Sequence, residues 1–140
     1  DMKILGKKFG EPWEIAIKHP RRKEKALAAL NLTNTCLVTS GDYERFFELE
    51  GKRYHHIIDP RTGYPARGCM SASVVAPNAE YADALATSLC VLGPAKGLEL
   101  IELLPKVEAV LVGMDGEVHV SSGLQGQVPV GSVDDDDTSK

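Results

Sequence analysis

The chain has 140 residues, 43% of them hydrophobic and 26% charged, which is the composition of a globular protein and excludes a disordered or fibrous one. Lys and Arg together number 16 against 20 Asp and Glu, so the net charge is −4 and no broad basic surface is available for nucleic acid. One domain of this length buries roughly 68% of its unfolded surface, enough for a core.

The segment from Asp1 to Gly6 reads as a strand entering a turn, and it leads to the expectation that the chain starts inside a longer protein. Trp13–Lys18 alternates apolar and polar residues, as a half-buried strand does, and His19-Pro20 stops it. The basic cluster Lys18, Arg21, Arg22, Lys23 and Lys25 has no aromatic residues among it and reads as a solvated turn. Ala26–Leu32 has helical propensity. However, Leu30 and Leu32 alternate around Asn31, and Thr33-Asn34 precedes Thr35, so two antiparallel strands are predicted on either side of that turn. Residues 43–49 and 52–58 flank Glu50-Gly51 and predict a hairpin, and residues 70–76 predict a strand ended by Pro77.

The period then changes. Asn78 is a good N-cap, and Ala82, Leu85, Ala86, Leu89 and Leu92 form a helical stripe over Ala79–Leu92 that Gly93-Pro94 ends. A second helix is predicted over 95–104, with Leu98, Ile101 and Leu104 inward and Pro105 as its stop. Residues 107–112 and 117–121 flank Asp115-Gly116, a hairpin signal. The expected class is α+β: an antiparallel sheet with two consecutive helices packed across it. The expected domain covers 1–123, with an acidic, apolar-poor tail over 124–140 that is expected to be disordered. Cys36, Cys69 and Cys90 have neither metal-ligand nor disulfide-framework spacing and read as small buried hydrophobes. No apolar run approaches a membrane span, and no signal pattern opens the chain.

Chemistry can sit in three places. In His55-His56-Ile57-Ile58-Asp59-Pro60-Arg61-Thr62-Gly63-Tyr64-Pro65 a strand delivers two histidines to opposite faces and then breaks into a turn. One imidazole can exchange a proton at neutral pH, and N–H groups of a Thr-Gly turn can hold phosphate oxygens. The residues alone fit an ordinary Asp-Pro turn at least as well. In the second place, Asp83 and Thr87 project one turn apart from the same side of a helix among Ala82, Ala84 and Ala86. A carboxylate and a hydroxyl are hard donors that suit Mg²⁺, but an exposed Asp and a Thr bonded back to the helix explain the same spacing. The third place is Thr39-Ser40-Gly41-Asp42-Tyr43, a strand end with polar side chains that would clamp a nucleotide or simply turn the chain. No P-loop or dinucleotide fingerprint is present. A Ser40–His56–Asp59 hydrolase set lacks a nucleophile elbow.

Taken in chain order, Thr39-Ser40-Gly41-Asp42-Tyr43, the segment from His56 to Pro65, and Ala82-Asp83-Ala84-Leu85-Ala86-Thr87 before Gly93 resemble the ApbE family of flavin transferases. Asp1 resembles the end of the family's Gly-Gly-Asp turn, and the resemblance runs to about Gly123. It implies an enzyme that splits FAD and attaches the FMN half, through a phosphoester, to a Thr or Ser hydroxyl of a target protein such as a flavin-carrying redox-pump subunit. It implies Asp83 and Thr87 as Mg²⁺ ligands. It makes His56 the group that activates the acceptor hydroxyl or orients the phosphate, with Asp59 positioning His56 or the adjacent turn. Ser40, Gly41, Asp42, Thr62 and Gly63 are implied to line the flavin-nucleotide cleft.

Family members are about twice this long, and the resemblance implies that their amino-terminal half supplies much of the FAD pocket, so this polypeptide alone is expected to be a weak FAD and Mg²⁺ binder and inactive in transfer. A flavin-binding module and an FAD pyrophosphatase releasing FMN and AMP are the alternative functions. The resemblance implies the periplasmic side of the inner membrane through a lipid anchor outside this sequence, or else the cytoplasm.

Overall fold

A computed structural model of the chain describes residues 1–129 and 131–133. The elements in order are β1 (Met2–Ile4), β2 (Trp13–Lys18), β3 (Ala26–Leu32), β4 (Thr35–Gly41), β5 (Phe46–Leu49), β6 (Lys52–His55), β7 (Ile58–Asp59) and β8 (Tyr64–Pro65). These are followed by β9 (Cys69–Ala76), α1 (Ala79–Leu92), α2 (Pro94–Glu102), β10 (Glu108–Gly113), β11 (Val118–Val120) and a 3-10 turn at Ser122–Leu124.

The central sheet has the order β1-β4-β9-β10-β11, and every neighbouring pair is antiparallel. Alternation sorts its core into two. Val38, Ala72, Val74, Ala109 and Leu111 point to one face and pack against Ala82, Leu85, Ala86 and Leu89 of α1 and Ile101 of α2. Leu37, Val75, Val110 and Val112 point to the other face, where Ile17 of β2 and Leu30 and Leu32 of β3 cover them. The predicted α+β arrangement of a sheet with two consecutive helices is thus what forms, with a two-stranded β2–β3 ribbon closing the second face. Burying a Leu such as Leu89 contributes about 1.5–3 kcal/mol relative to leaving it exposed.

Local signals act as their chemistry requires. Asn78 accepts the Tyr81 N–H at 2.9 Å and caps α1. Glu50 and Gly51 both take positive φ (51° and 72°), the two-residue turn whose twist matches a hairpin, and Gly51 supplies one of them without strain. Pro94 occupies the first turn of α2, which ends at Glu102 rather than 104; Leu98 and Leu104 still pack against the core.

Two expectations are corrected. β3 and β4 both form, but they do not pair: β3 pairs with β2, and β4 lies between β1 and β9. Asn34, at φ 50° and with its Oδ1 accepting the Gly6 N–H at 2.8 Å, carries the chain from one layer to the other instead of folding it back. The tail expected to be disordered from 124 is ordered over 124–129 and 131–133, where Leu124, Val128 and Val133 are buried in the second core. His19 anchors this end by donating from Nε2 to the Val133 carbonyl at 3.3 Å, while its Nδ1 accepts from the Arg21 and Arg22 N–H groups. The rest of the expected tail, with its Asp run, lies outside the described residues. Among the described residues, no helix is long and apolar enough to cross a membrane.

Candidate active site

β4 runs antiparallel to β9, and α1 packs across both, so the carboxyl end of β4 lies beside the middle of α1. The consequence is a bond between side chains 47 residues apart in sequence: Ser40 Oγ and Thr87 Oγ1 lie 3.2 Å from each other. They sit on the wall of an open cleft of about 730 Å³ that is also lined by Thr39, Gly41, Tyr43, Arg45, His56 and Asp83, with Lys18 of β2 at its side. The cleft therefore brings together Ser40, Gly41, His56, Asp83 and Thr87.

Asp83 and Thr87 are exposed on one side of α1, as i and i+4 positions are. Among the described residues, the Asp83 carboxylate has no ion-pair partner, and no three or more His, Cys, Asp or Glu side chains cluster as a metal cage. A lone carboxylate next to a hydroxyl, facing open volume, fits an ion that keeps water and substrate phosphate in its shell; Mg²⁺ does so, whereas structural zinc requires four protein ligands.

The two histidines divide as strand alternation requires. His55 is buried and donates from Nε2 to the Ala66 carbonyl at 2.9 Å, and burial holds its pKa below the usual 6.5. His56 is exposed at the cleft. Its Nδ1 lies 3.4 Å from the Arg45 carbonyl, which can only accept, so that tautomer carries its proton on Nδ1 and leaves Nε2 free.

Three expected site residues lie elsewhere. Asp42 is 2% exposed and faces away from the cleft; its two oxygens receive the Arg21 guanidinium at 2.6 and 2.8 Å, with Arg53 at 3.4 Å. A buried carboxylate needs such partners, and Arg21 supplies them, so the solvated-turn reading of the basic cluster fails for Arg21. Thr62 lines a second groove beyond the β5–β6 hairpin, and Gly63 lines neither cavity. The reason is the turn itself: the Asp59 carbonyl accepts the Thr62 and Gly63 N–H groups, so these do not face a phosphate.

Asp59 binds the Arg61 guanidinium through both oxygens at 2.9 and 2.7 Å, and those bonds hold its carboxyl below the ordinary 3.8. It shapes the turn and makes no hydrogen bond to His56 among the described residues.

Sequence reasoning passed over Tyr43, Arg45 and Lys18 as lining residues. Tyr43 stood within the quoted polar segment, and its hydroxyl is pushed up to about 12 by burial and by the neighbouring Glu44 and Asp42, so it stays protonated. The Lys18 ammonium lies 5.6 Å from the Tyr43 ring centroid.

The chain is similar in sequence and fold to known proteins. The sequence model of the ApbE family matches residues 1–111. The FAD:protein FMN transferase of Treponema pallidum (strain Nichols) is 40% identical over 137 residues, which cover 90% of this chain and 38% of that protein. The FAD:protein FMN transferase of Escherichia coli (strain K12) is 45% identical over 94 residues, 66% of this chain and 27% of that one. The crystal structure of the ApbE protein from Thermotoga maritima superposes with a TM-score of 0.78 at 37% identity, covering 89% of this chain and 41% of that chain. The flavin transferase ApbE from Vibrio cholerae gives 0.70 at 29% identity, with 91% and 41% covered. The chain spans about two fifths or less of the length of each of these proteins. By its sequence match and its fold, the chain belongs to the ApbE family.

Proposed function

We propose that the protein carrying this chain transfers the FMN half of FAD to a Thr or Ser hydroxyl of an acceptor protein, with Mg²⁺ as cofactor. The observation that supports this reading is the convergence of Asp83, Thr87, Ser40 and His56 on one open cleft. Asp83 and Thr87 would hold the ion, which would supply positive charge against the pyrophosphate and the departing AMP. Ser40, through its bond to Thr87, would orient the hydroxyl offered as a ligand. Arg45 and Lys18 add cationic side chains along the path of the phosphates.

In the reaction, the acceptor oxygen bonds to the FMN phosphorus as the bond from that phosphorus to the AMP-side oxygen breaks. The hydroxyl proton goes to Nε2 of His56, which the Nδ1–H contact to Arg45 leaves as the free base. Asp59 keeps the 59–63 turn in shape and is not the base, since Arg61 occupies its carboxylate. We further propose redox-pump flavin subunits as the acceptors, and the periplasmic side of the inner membrane, or else the cytoplasm, as the location.

The test is to incubate the full-length protein with FAD, Mg²⁺ and an acceptor, and to look for flavin fluorescence on the denatured acceptor band. A fluorescent band supports transfer. Free FMN and AMP with a dark acceptor would show water as the acceptor and contradict the proposal, and bound FAD with no product would show a binding module.

A further inference from the structure

The hairpin of β5 and β6 rises from the cleft rim and has no third strand on either edge among the described residues. Directly opposed residues of an antiparallel pair share a face, so Phe47 with Tyr54 and Leu49 with Lys52 point the same way. The His56 N–H donates to the Arg45 carbonyl at 3.2 Å and extends the ladder one step, adding Arg45 and His56 to that face. The opposite face is committed to the body of the domain: Arg53 reaches Asp42, its guanidinium lies 4.1 Å from the Phe46 ring centroid, and His55 bonds to Ala66.

The free face is therefore one continuous strip. It starts at the cleft with Arg45 and His56 and passes the Phe47–Tyr54 stack, whose centroids are 5.2 Å apart. It ends at Leu49 and Lys52, about 13 Å from His56 at strand rise. Phe47 is 62% exposed and Leu49 56%, a large apolar surface for such a short ribbon. Lys52 and Tyr54 also border a groove of about 540 Å³ with Tyr64 and Arg67. Neither Lys52 nor Arg67 has a carboxylate partner among the described residues, and the one carboxylate in the groove, Asp59, is taken by Arg61.

We infer that this hairpin face is the docking surface for the acceptor protein. Apolar side chains next to the receiving hydroxyl seat on Phe47, Leu49 and Tyr54, and an acidic side chain lies between Lys52 and Arg67. The inference rests on the flavin-transfer reading, because it is the continuity of the strip with His56 that makes the acceptor its occupant. Local charge fits such a partner: Lys52 and Arg67, which have no carboxylate partner among the described residues, favour an acidic segment at this end of the strip.

The experiment compares the full-length protein with its Leu49→Ser and Lys52→Glu variants, measuring KM for the acceptor, kcat, FAD affinity and the thermal midpoint. Each variant is expected to raise acceptor KM by about tenfold, the effect of one good interface contact, while kcat, FAD affinity and melting stay as they were. Replacing acidic residues of the acceptor by Lys is expected to restore part of the loss with Lys52→Glu. An unchanged KM in both variants overturns the docking surface. So does a joint fall in FAD affinity and melting, which would show the face packed against another part of the protein. If the unmodified protein labels no acceptor, the transfer reading itself fails and the inference falls with it.

Discussion

Thr87 Oγ1 and Ser40 Oγ are 3.2 Å apart, and this contact couples a helix residue read as a metal ligand to the strand end that walls the cleft. Replacing Thr87 with Val keeps the shape of the side chain and removes the oxygen. The expected result is weaker Mg²⁺ or Mn²⁺ binding by the FAD-loaded protein, followed by Mn²⁺ electron paramagnetic resonance, with unchanged melting because Thr87 is exposed. Ser40→Ala, which removes only the partner, is expected to have the same effect to a smaller degree.

His56→Gln is expected to lower kcat by about 10²–10⁴-fold, the usual worth of a positioned base, with little change in FAD affinity. A variant that kept its kcat would assign the proton transfer to another group.

His55 makes a separate pH prediction, for stability. Its folded pKa lies below 6.5 through burial, so the unfolded chain binds the proton more readily. Stability from this group is complete above about pH 6.5 and is lost as pH falls below that value toward the folded pKa. His55→Gln keeps a donor for the Ala66 carbonyl and should flatten the fall in thermal midpoint between neutral and mildly acidic pH, without touching the His56 effect on turnover.

Asp42→Ala separates structure from binding. It deprives Arg21 of its carboxylate, while Arg53 keeps Glu48 at 3.1 Å, and should destabilise by about 1.5–3 kcal/mol, the usual worth of hydrogen bonds to a charged group. FAD affinity measured well below the melting temperature should remain. Gly41→Ala is expected to do the reverse: a Cβ there would meet Tyr43 Cε1 at 2.5 Å, and the ring can swing aside. Folding should then survive, while ligand binding in the cleft weakens.

These contrasts explain which parts of the molecule were legible in the sequence. The bounds of α1 and β2 were readable because their signals are local: Asn78 and Gly93 at the ends of one, apolar–polar alternation in the other. The pairing of β3 with β2 rather than β4 was not, because Asn34 turns toward Gly6, 28 residues earlier, and nothing local encodes that choice. Ser40, Gly41, His56, Asp83 and Thr87 were named from family likeness and do border one cleft. Asp42 stands next to Gly41 in the chain but answers to Arg21, and Thr62 and Gly63 are drawn away by the Asp59 carbonyl. The ordered end was hidden too, since the burial of Val128 and Val133 depends on the β2–β3 layer being present.

The central claim of the proposal is that Asp83 would supply a carboxylate ligand to Mg²⁺ in the cleft that His56 also lines. It is tested most directly by following AMP release and acceptor mass together in the full-length protein and its Asp83→Ala variant across a Mg²⁺ titration. The account predicts that the unmodified protein releases one AMP for each FMN gained by the acceptor, and that the variant does neither at any Mg²⁺ concentration while melting normally. Undiminished flavin attachment by Asp83→Ala would contradict it.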